Sequence, residues 1–217
     1  MTHPTHSQAH TTPLSPSVTE ARTAPLSIAR SELILGGQKS GKSRRAEQLA
    51  AAWLARSNAH EAVLVATAQP WDDEMRQRIA RHQADRAQRV PGMRTAEEPL
   101  YLAQALTQHS TPHTLLVVDC LTLWLTNRLM PAQGSGDGSA TLQTVLEQLL
   151  HAIAHAPGPV VLVGNEIGLG VIPLGREVRA FVDALGQLNQ AVAATCQRVT
   201  LMAAGLPLTL KQEAQPC

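Results

Sequence analysis

The apolar positions of this chain gather into short unbroken runs with helical patterns between them. Residues 32–35 form one run, which stops at Gly36 and Gly37. Residues 62–66 (AVLVA), 115–118, 159–163 and 199–203 form four more, and residues 206–211 are a candidate to pair beside the last. Runs of this length mark strands covered on both faces. Between them, Ala46, Leu49, Ala50, Trp53 and Leu54 recur at the spacing of one helix face. Residues 72–88 predict a polar helix with acids at its start, where the helix dipole favours them. Residues 100–108, 142–156 and 175–196 predict three further helices, the last carrying Val178, Phe181, Val182, Leu185, Leu188 and Val192. Strands alternating with helices predict an α/β fold with a mainly parallel central sheet flanked by helices.

Two stretches break the pattern. Residues 131–140 (PAQGSGDGSA) read as a flexible loop, and 165–173 as a Gly-rich one. Residues 1–30 are rich in Thr, Ser, Pro, His and Ala without periodicity, so a disordered tail is expected there. The expected ordered domain is 31–217.

Composition narrows the classes. A chain of 217 residues, 44% hydrophobic, suits one α/β domain with a well-buried core. Its net charge is +1 with neutral histidines, which suggests no nucleic-acid partner. One Phe, one Tyr and three Trp are too few for a base-stacking platform. Cys120, Cys196 and Cys217 form no CxxC pair, so neither a disulfide framework nor a cysteine zinc site is expected. A cytoplasmic setting follows from the same cysteine usage. No signal peptide or membrane-spanning stretch is evident.

The chemistry begins where the first apolar run stops. Gly36, Gly37, Gln38, Lys39, Ser40, Gly41, Lys42 and Ser43 match G-x-x-x-x-G-K-[ST], with a strand before and a helix after. Glycines let backbone N–H groups wrap phosphate oxygens, and the helix N-terminus faces the anion. Lys42 would reach the outer phosphates and Ser43 would ligate Mg²⁺. The domain is therefore expected to be P-loop NTPase-like. Asp119, at the end of the third run, is the candidate second Mg²⁺ partner because a P-loop demands one; alone, such an acid is usually a loop residue or helix cap.

A guanine-reading N-K-x-D motif is absent: Asn165-Glu166-Ile167-Gly168 lacks both the Lys and the Asp. Three polar loops each follow an expected strand. They contain Ala66, Thr67, Ala68 and Gln69 with Asp72 to Met75; Asp119 to Thr122 with Asn127; and Asn165 to Gly170. Ligands of parallel α/β sheets sit at the carboxyl ends of the strands, so these loops should converge with the P-loop. His82 shares a helix face with Met75 and Arg78. From spacing alone a solvent-facing helix histidine is the more common case; the alternative is a nucleophile toward phosphorus.

Taken in order, GGxxSGKS, DDEM-x-x-RI-x-x-H, T-A-E, VVDCLTLWLTN, NEIGLGVIP and LNQ resemble one family over about residues 32–211. It is the bifunctional adenosylcobinamide kinase / adenosylcobinamide-phosphate guanylyltransferase of cobalamin biosynthesis. The resemblance implies phosphorylation of adenosylcobinamide with ATP or GTP. It implies a second step, transfer of GMP from GTP to the new phosphate through a guanylyl-histidine, releasing pyrophosphate. It makes His82 the nucleophile. Some members carry two adjacent histidines; here the first is Arg81. Lys39 stands where Arg is common, and Asp119 where some members have Glu.

By the same resemblance Gly36 through Ser43 bind the triphosphate. Ala66, Thr67 and Ala68 line the nucleotide site. Gln83, Ala84, Asp85 and Arg86 hold the guanylyl group with His82, and Glu97 and Asp119 contact nucleotide. Catalysis falls to His82 and Lys42, and Mg²⁺ to Ser43 and Asp119. The family implies a homo-oligomer, with trimers known. Two other readings remain open: a plain P-loop small-molecule kinase, and a nucleotide-dependent binding or regulatory protein.

Overall fold

The computed structural model describes residues 26–70, 72–130, 141–170 and 173–213. The expected flexible loop 131–140 and residues 1–25 of the expected tail lie outside them.

Seven strands form one sheet in the order β3-β2-β4-β5-β1-β6-β7. They are β1 (Ser31–Gly36), β2 (Glu61–Ala66), β3 (Arg94–Glu97), β4 (Thr114–Asp119), β5 (Val160–Val163), β6 (Arg198–Ala203) and β7 (Leu206–Gln212). All neighbours are parallel except β6 and β7, which pair antiparallel as a hairpin. Among the described residues six helices connect them: α1 (Lys42–Leu54), α2 (Asp73–Arg89), α3 (Leu102–His109), α4 (Leu121–Leu129), α5 (Leu142–His155) and α6 (Arg176–Thr195). This is the expected P-loop-like α/β architecture.

The unbroken apolar runs are explained by two cores, one on each face. Leu33, Leu35, Leu116, Val118, Val160 and Leu162 point into one, under α3, α4, α5 and α6. Ile34, Leu115, Val117, Val161 and Val163 point into the other, under α1. Successive side chains of a strand alternate faces, so a strand buried on both sides needs apolar residues throughout.

Three parts differ from the expectation. The strand β3 carries Arg94, Thr95 and Glu97 exposed. As an edge strand it has no apolar run to reveal it. The polar loop expected at Asp119 to Thr122 with Asn127 is mostly helix α4 (Leu121–Leu129), which buries Leu121, Trp124 and Leu125. Packing also starts before residue 31: Ile28 and Ala29 are buried, and the Arg198 guanidinium donates to the Ser27 carbonyl at 2.7 Å.

Candidate nucleotide site

The strand order creates the crevice. The chain leaves β1 toward β2 on one side, and leaves β5 toward β6 on the other, while β1 and β5 are neighbours. Connections that diverge from adjacent parallel strands open a cleft at the carboxyl ends. The glycine loop that leaves β1 sits there.

That loop is clamped. A Cβ at Gly36 would lie 2.5 Å from the Met202 carbonyl oxygen and 2.6 Å from Ser40 Oγ, so no other residue fits. Gly41, the N-cap of α1, has φ 102, in the region glycine tolerates. The Glu166 amide donates to the Gly36 carbonyl at 3.1 Å, and the Gly205 amide to the Ser40 carbonyl at 3.1 Å. The β5–α6 loop and the β6–β7 turn thus hold the cradle from two sides. The loop runs directly into the N-terminus of α1, whose free amides favour an anion.

Lys42 carries the charge for that site. It is buried, and its Nζ donates to the Gly37 carbonyl at 2.7 Å. Burial lowers its pKa, while the nearby Cys120 and Asp119 act in the opposite direction. An ammonium has three donors, and its cost of burial falls when an anion pairs with it. Ser40 Oγ is also buried with no partner among the described residues. A phosphate chain in the cradle supplies acceptors for both groups, so the residues fit a triphosphate. Ser43 and Asp119 are partly accessible hard-oxygen donors, the ligand type that suits Mg²⁺. Among the described residues no group of three His, Cys, Asp or Glu side chains forms a protein-only metal cage. Mg²⁺ typically takes few protein ligands alongside phosphate oxygens, so this sparse set fits.

The three polar loops converge as expected, but several of their side chains serve each other. Thr67 is fully buried; its hydroxyl donates to the Cys120 carbonyl at 2.8 Å and accepts from the Cys120 amide at 2.7 Å. The Asp119–Cys120 peptide is cis. Asn127 on α4 donates to the Thr67 carbonyl at 2.8 Å and to the Pro99 carbonyl at 3.2 Å. The Thr122 hydroxyl accepts from the Asn165 amide at 2.9 Å, and Asn189 on α6 donates to the Asn165 carbonyl at 3.0 Å. Thr67 therefore shapes the floor beside Asp119 rather than offering its hydroxyl to a ligand. The positioning roles of Asn127 and Asn189 leave only one trace in the sequence, a lone Asn inside an apolar helix pattern.

His82 stands apart from this floor. Helix α2 is capped by the Asp72 carboxylate, which accepts from the Met75 amide at 2.7 Å. No described residue of α2 is fully buried. Its far end is fastened: Arg89 reaches the buried Glu47 of α1 at 3.1 Å and Asp85 at 3.2 Å, and Arg86 donates to Thr95 Oγ1 at 3.3 Å. His82, Gln83 and Ala84 are exposed, two turns or about 10 Å along the axis from Arg89. Asp85 and Arg86 are committed to these anchoring contacts. Glu97 is exposed at the end of β3, four strand positions from β1, about 19 Å across the sheet. Ala66 and Ala68 are half-buried between these two flanks. The crevice is thus bounded by the P-loop on one side and by α2 and β3 on the other.

Comparison with known proteins places the chain among characterised relatives by sequence. The family described as cobinamide kinase / cobinamide phosphate guanyltransferase matches residues 32–210. The chain is 49% identical over 182 residues to the bifunctional adenosylcobalamin biosynthesis protein CobP of Pseudomonas aeruginosa, covering 84% of this chain and 98% of that protein. It is 33% identical over 187 residues to the corresponding CobU of Escherichia coli, covering 82% and 98%. Among solved structures, the flagellar accessory protein FlaH of Methanocaldococcus jannaschii aligns with a TM-score of 0.48 at 11% identity, covering 85% of this chain and 79% of that one. With the P-loop, the partnered Asp119 loop and the β5–α6 loop all inside the matched span, the chain belongs to the cobinamide kinase / cobinamide phosphate guanyltransferase family.

Proposed function

We propose that this one crevice performs both reactions of the family, with the P-loop serving the kinase step and His82 the nucleotidyl step. The observation that carries the proposal is Lys42: a buried ammonium in a clamped glycine loop, with a single carbonyl acceptor at 2.7 Å. In the first step the terminal hydroxyl of adenosylcobinamide attacks the γ-phosphorus of ATP or GTP. The bond to the bridging oxygen breaks, the nucleoside diphosphate leaves, and the hydroxyl proton is lost. Lys42 and the loop amides stabilise the charge on the departing phosphates. Mg²⁺, when held by Ser43 and Asp119, would neutralise phosphate charge.

In the second step the neutral imidazole of His82 attacks the α-phosphorus of GTP and pyrophosphate leaves. A phosphate oxygen of adenosylcobinamide phosphate then attacks the same phosphorus, and the imidazole departs. The product is adenosylcobinamide-GDP. A covalent intermediate divides one difficult displacement into two easier ones. Because His82 stands on the outer part of α2, this step requires the helix, or a second copy of the chain, to bring the ring to the nucleotide. A homo-oligomer working in the cytoplasm suits that need. No helix of the described residues is long and apolar enough to cross a membrane. The test is direct: GTP labelled at the α-phosphorus, mixed with protein and Mg²⁺ and quenched, should leave acid-labile label on the peptide containing His82. A protein that turns over the corrinoid yet never carries this label would overturn the covalent step.

A further inference from the structure

The β5–α6 corner holds apolar side chains in water beside the phosphate cradle. Ile167 is 40% exposed, Leu169 82%, Leu174 96% and Val178 51%. Single exposed hydrophobics are ordinary, but a group on one corner is a signal of binding. This corner is also rooted. Its first residues are tied to the site by the Glu166 amide on the Gly36 carbonyl and the Asn165 amide on Thr122 Oγ1. Its return is tied to α6, where Arg179 donates to the Pro173 and Leu174 carbonyls. Ile167, Leu169, Leu174 and Val178 belong to neither core.

We infer that Ile167, Leu169, Leu174 and Val178 form the docking surface for the corrin ring of the acceptor. The inference rests on the cobinamide reading above. That substrate is a broad macrocycle with apolar faces, carrying the reactive hydroxyl at the end of a side arm. Such a ligand needs an apolar platform near the outer phosphates, outside the polar cradle itself. The corner starts at the cradle, because its root bonds directly to the first residue of the glycine loop. The platform sets affinity for the acceptor and leaves the phosphate contacts alone.

The experiment compares the full-length wild type with Leu169→Ser, Leu174→Ser and the double variant. Both sites are exposed, so folding is preserved. The kinase KM for adenosylcobinamide should rise about tenfold or more in the double variant, with nucleotide Kd changed by less than about twofold. An unchanged corrinoid KM, or a parallel loss of nucleotide affinity, overturns the assignment. A fall in molecular mass in sedimentation velocity also overturns it, since the corner would then face another copy of the chain. If the wild type itself fails to phosphorylate cobinamide, the functional reading falls instead, and this inference with it.

Discussion

The Thr67 hydroxyl bonds to both polar groups of the Cys120 backbone, accepting from its amide at 2.7 Å and donating to its carbonyl at 2.8 Å. This pairs the loop after β2 with the loop after β4 at the residue next to Asp119. Thr67→Val removes both bonds at constant shape and leaves the buried Cys120 amide unpaired, while the Cys120 carbonyl keeps its bond from the Trp124 amide at 3.1 Å. The expected loss of stability is about 1–3 kcal/mol. Phosphorylation should fall as well, because Asp119 loses its support. Thr67→Ser keeps the hydroxyl and should restore most of both. Urea unfolding and initial kinase rates of the two variants check this; equal behaviour of Val and Ser would exclude the hydroxyl's role.

Lys42 presents the opposite balance, function held at a cost to the fold. Burial lowers its pKa from the ordinary 10.5, so its charge destabilises the nucleotide-free protein. Lys42→Met should abolish most kinase turnover, by about 100-fold or more, while the midpoint of urea unfolding stays level or rises. A clear drop in that midpoint would show that the ammonium is well satisfied without nucleotide.

The same residue sets a pH dependence. Between its lowered folded pKa and 10.5 the unfolded chain binds the extra proton, so the stability of the free protein rises with pH across that window. Nucleotide phosphates favour the charged ammonium and raise its pKa again. Binding should therefore take up protons in the same alkaline window. Calorimetry of GTP binding in buffers of different ionisation enthalpy measures this uptake, and Lys42→Met should erase it.

Histidine and lysine chemistry should separate genetically. His82→Ala is expected to eliminate guanylyl transfer while leaving substantial phosphorylation of adenosylcobinamide, since the ring is exposed and lies outside the P-loop. Glu47→Gln loosens the Arg89 anchor of α2 and should likewise weaken transfer more than phosphorylation. Separate assays of corrinoid phosphate and of its GDP derivative resolve the two. Equal loss of both activities in folded His82→Ala would refute the division of labour.

The described cysteines offer a chemical check on the fold. Burial pushes the Cys120 thiol up to about 11 and the Cys196 thiol up to about 12, and both are free. The thiolate is the reactive form, so neither should alkylate in the native protein at neutral pH. Both should react fully in denaturant, and mass spectrometry of peptides after iodoacetamide treatment tells them apart. Fast native labelling of Cys120 would mean that the floor under Lys42 opens.

Much of the framework was legible along the chain because burial on two sheet faces forces unbroken apolar runs. The five interior strands β1, β2, β4, β5 and β6 and the glycine loop follow from that local rule and from the G-x-x-x-x-G-K-[ST] spacing. Strand β3 escaped, since an exposed edge strand of Arg94, Thr95, Ala96 and Glu97 has no apolar requirement to meet. Helix α4 escaped for another reason: Thr122 and Asn127 broke its apolar pattern, and they are polar because they bond to Asn165, Thr67 and Pro99 from other loops.

By itself, then, the sequence determined the phosphate cradle, the strand-and-helix alternation and the family, all of which rest on local spacing and composition. Only the tertiary structure decided that Thr67, Thr122, Asn127 and Asn189 bind the loops together, that Lys42 is buried, and that His82 stands outside on α2. These depend on which strands become neighbours. Pairing β1 with β5, and β5 with β4, brings together residues more than forty positions apart in the chain. No local pattern encodes such contacts.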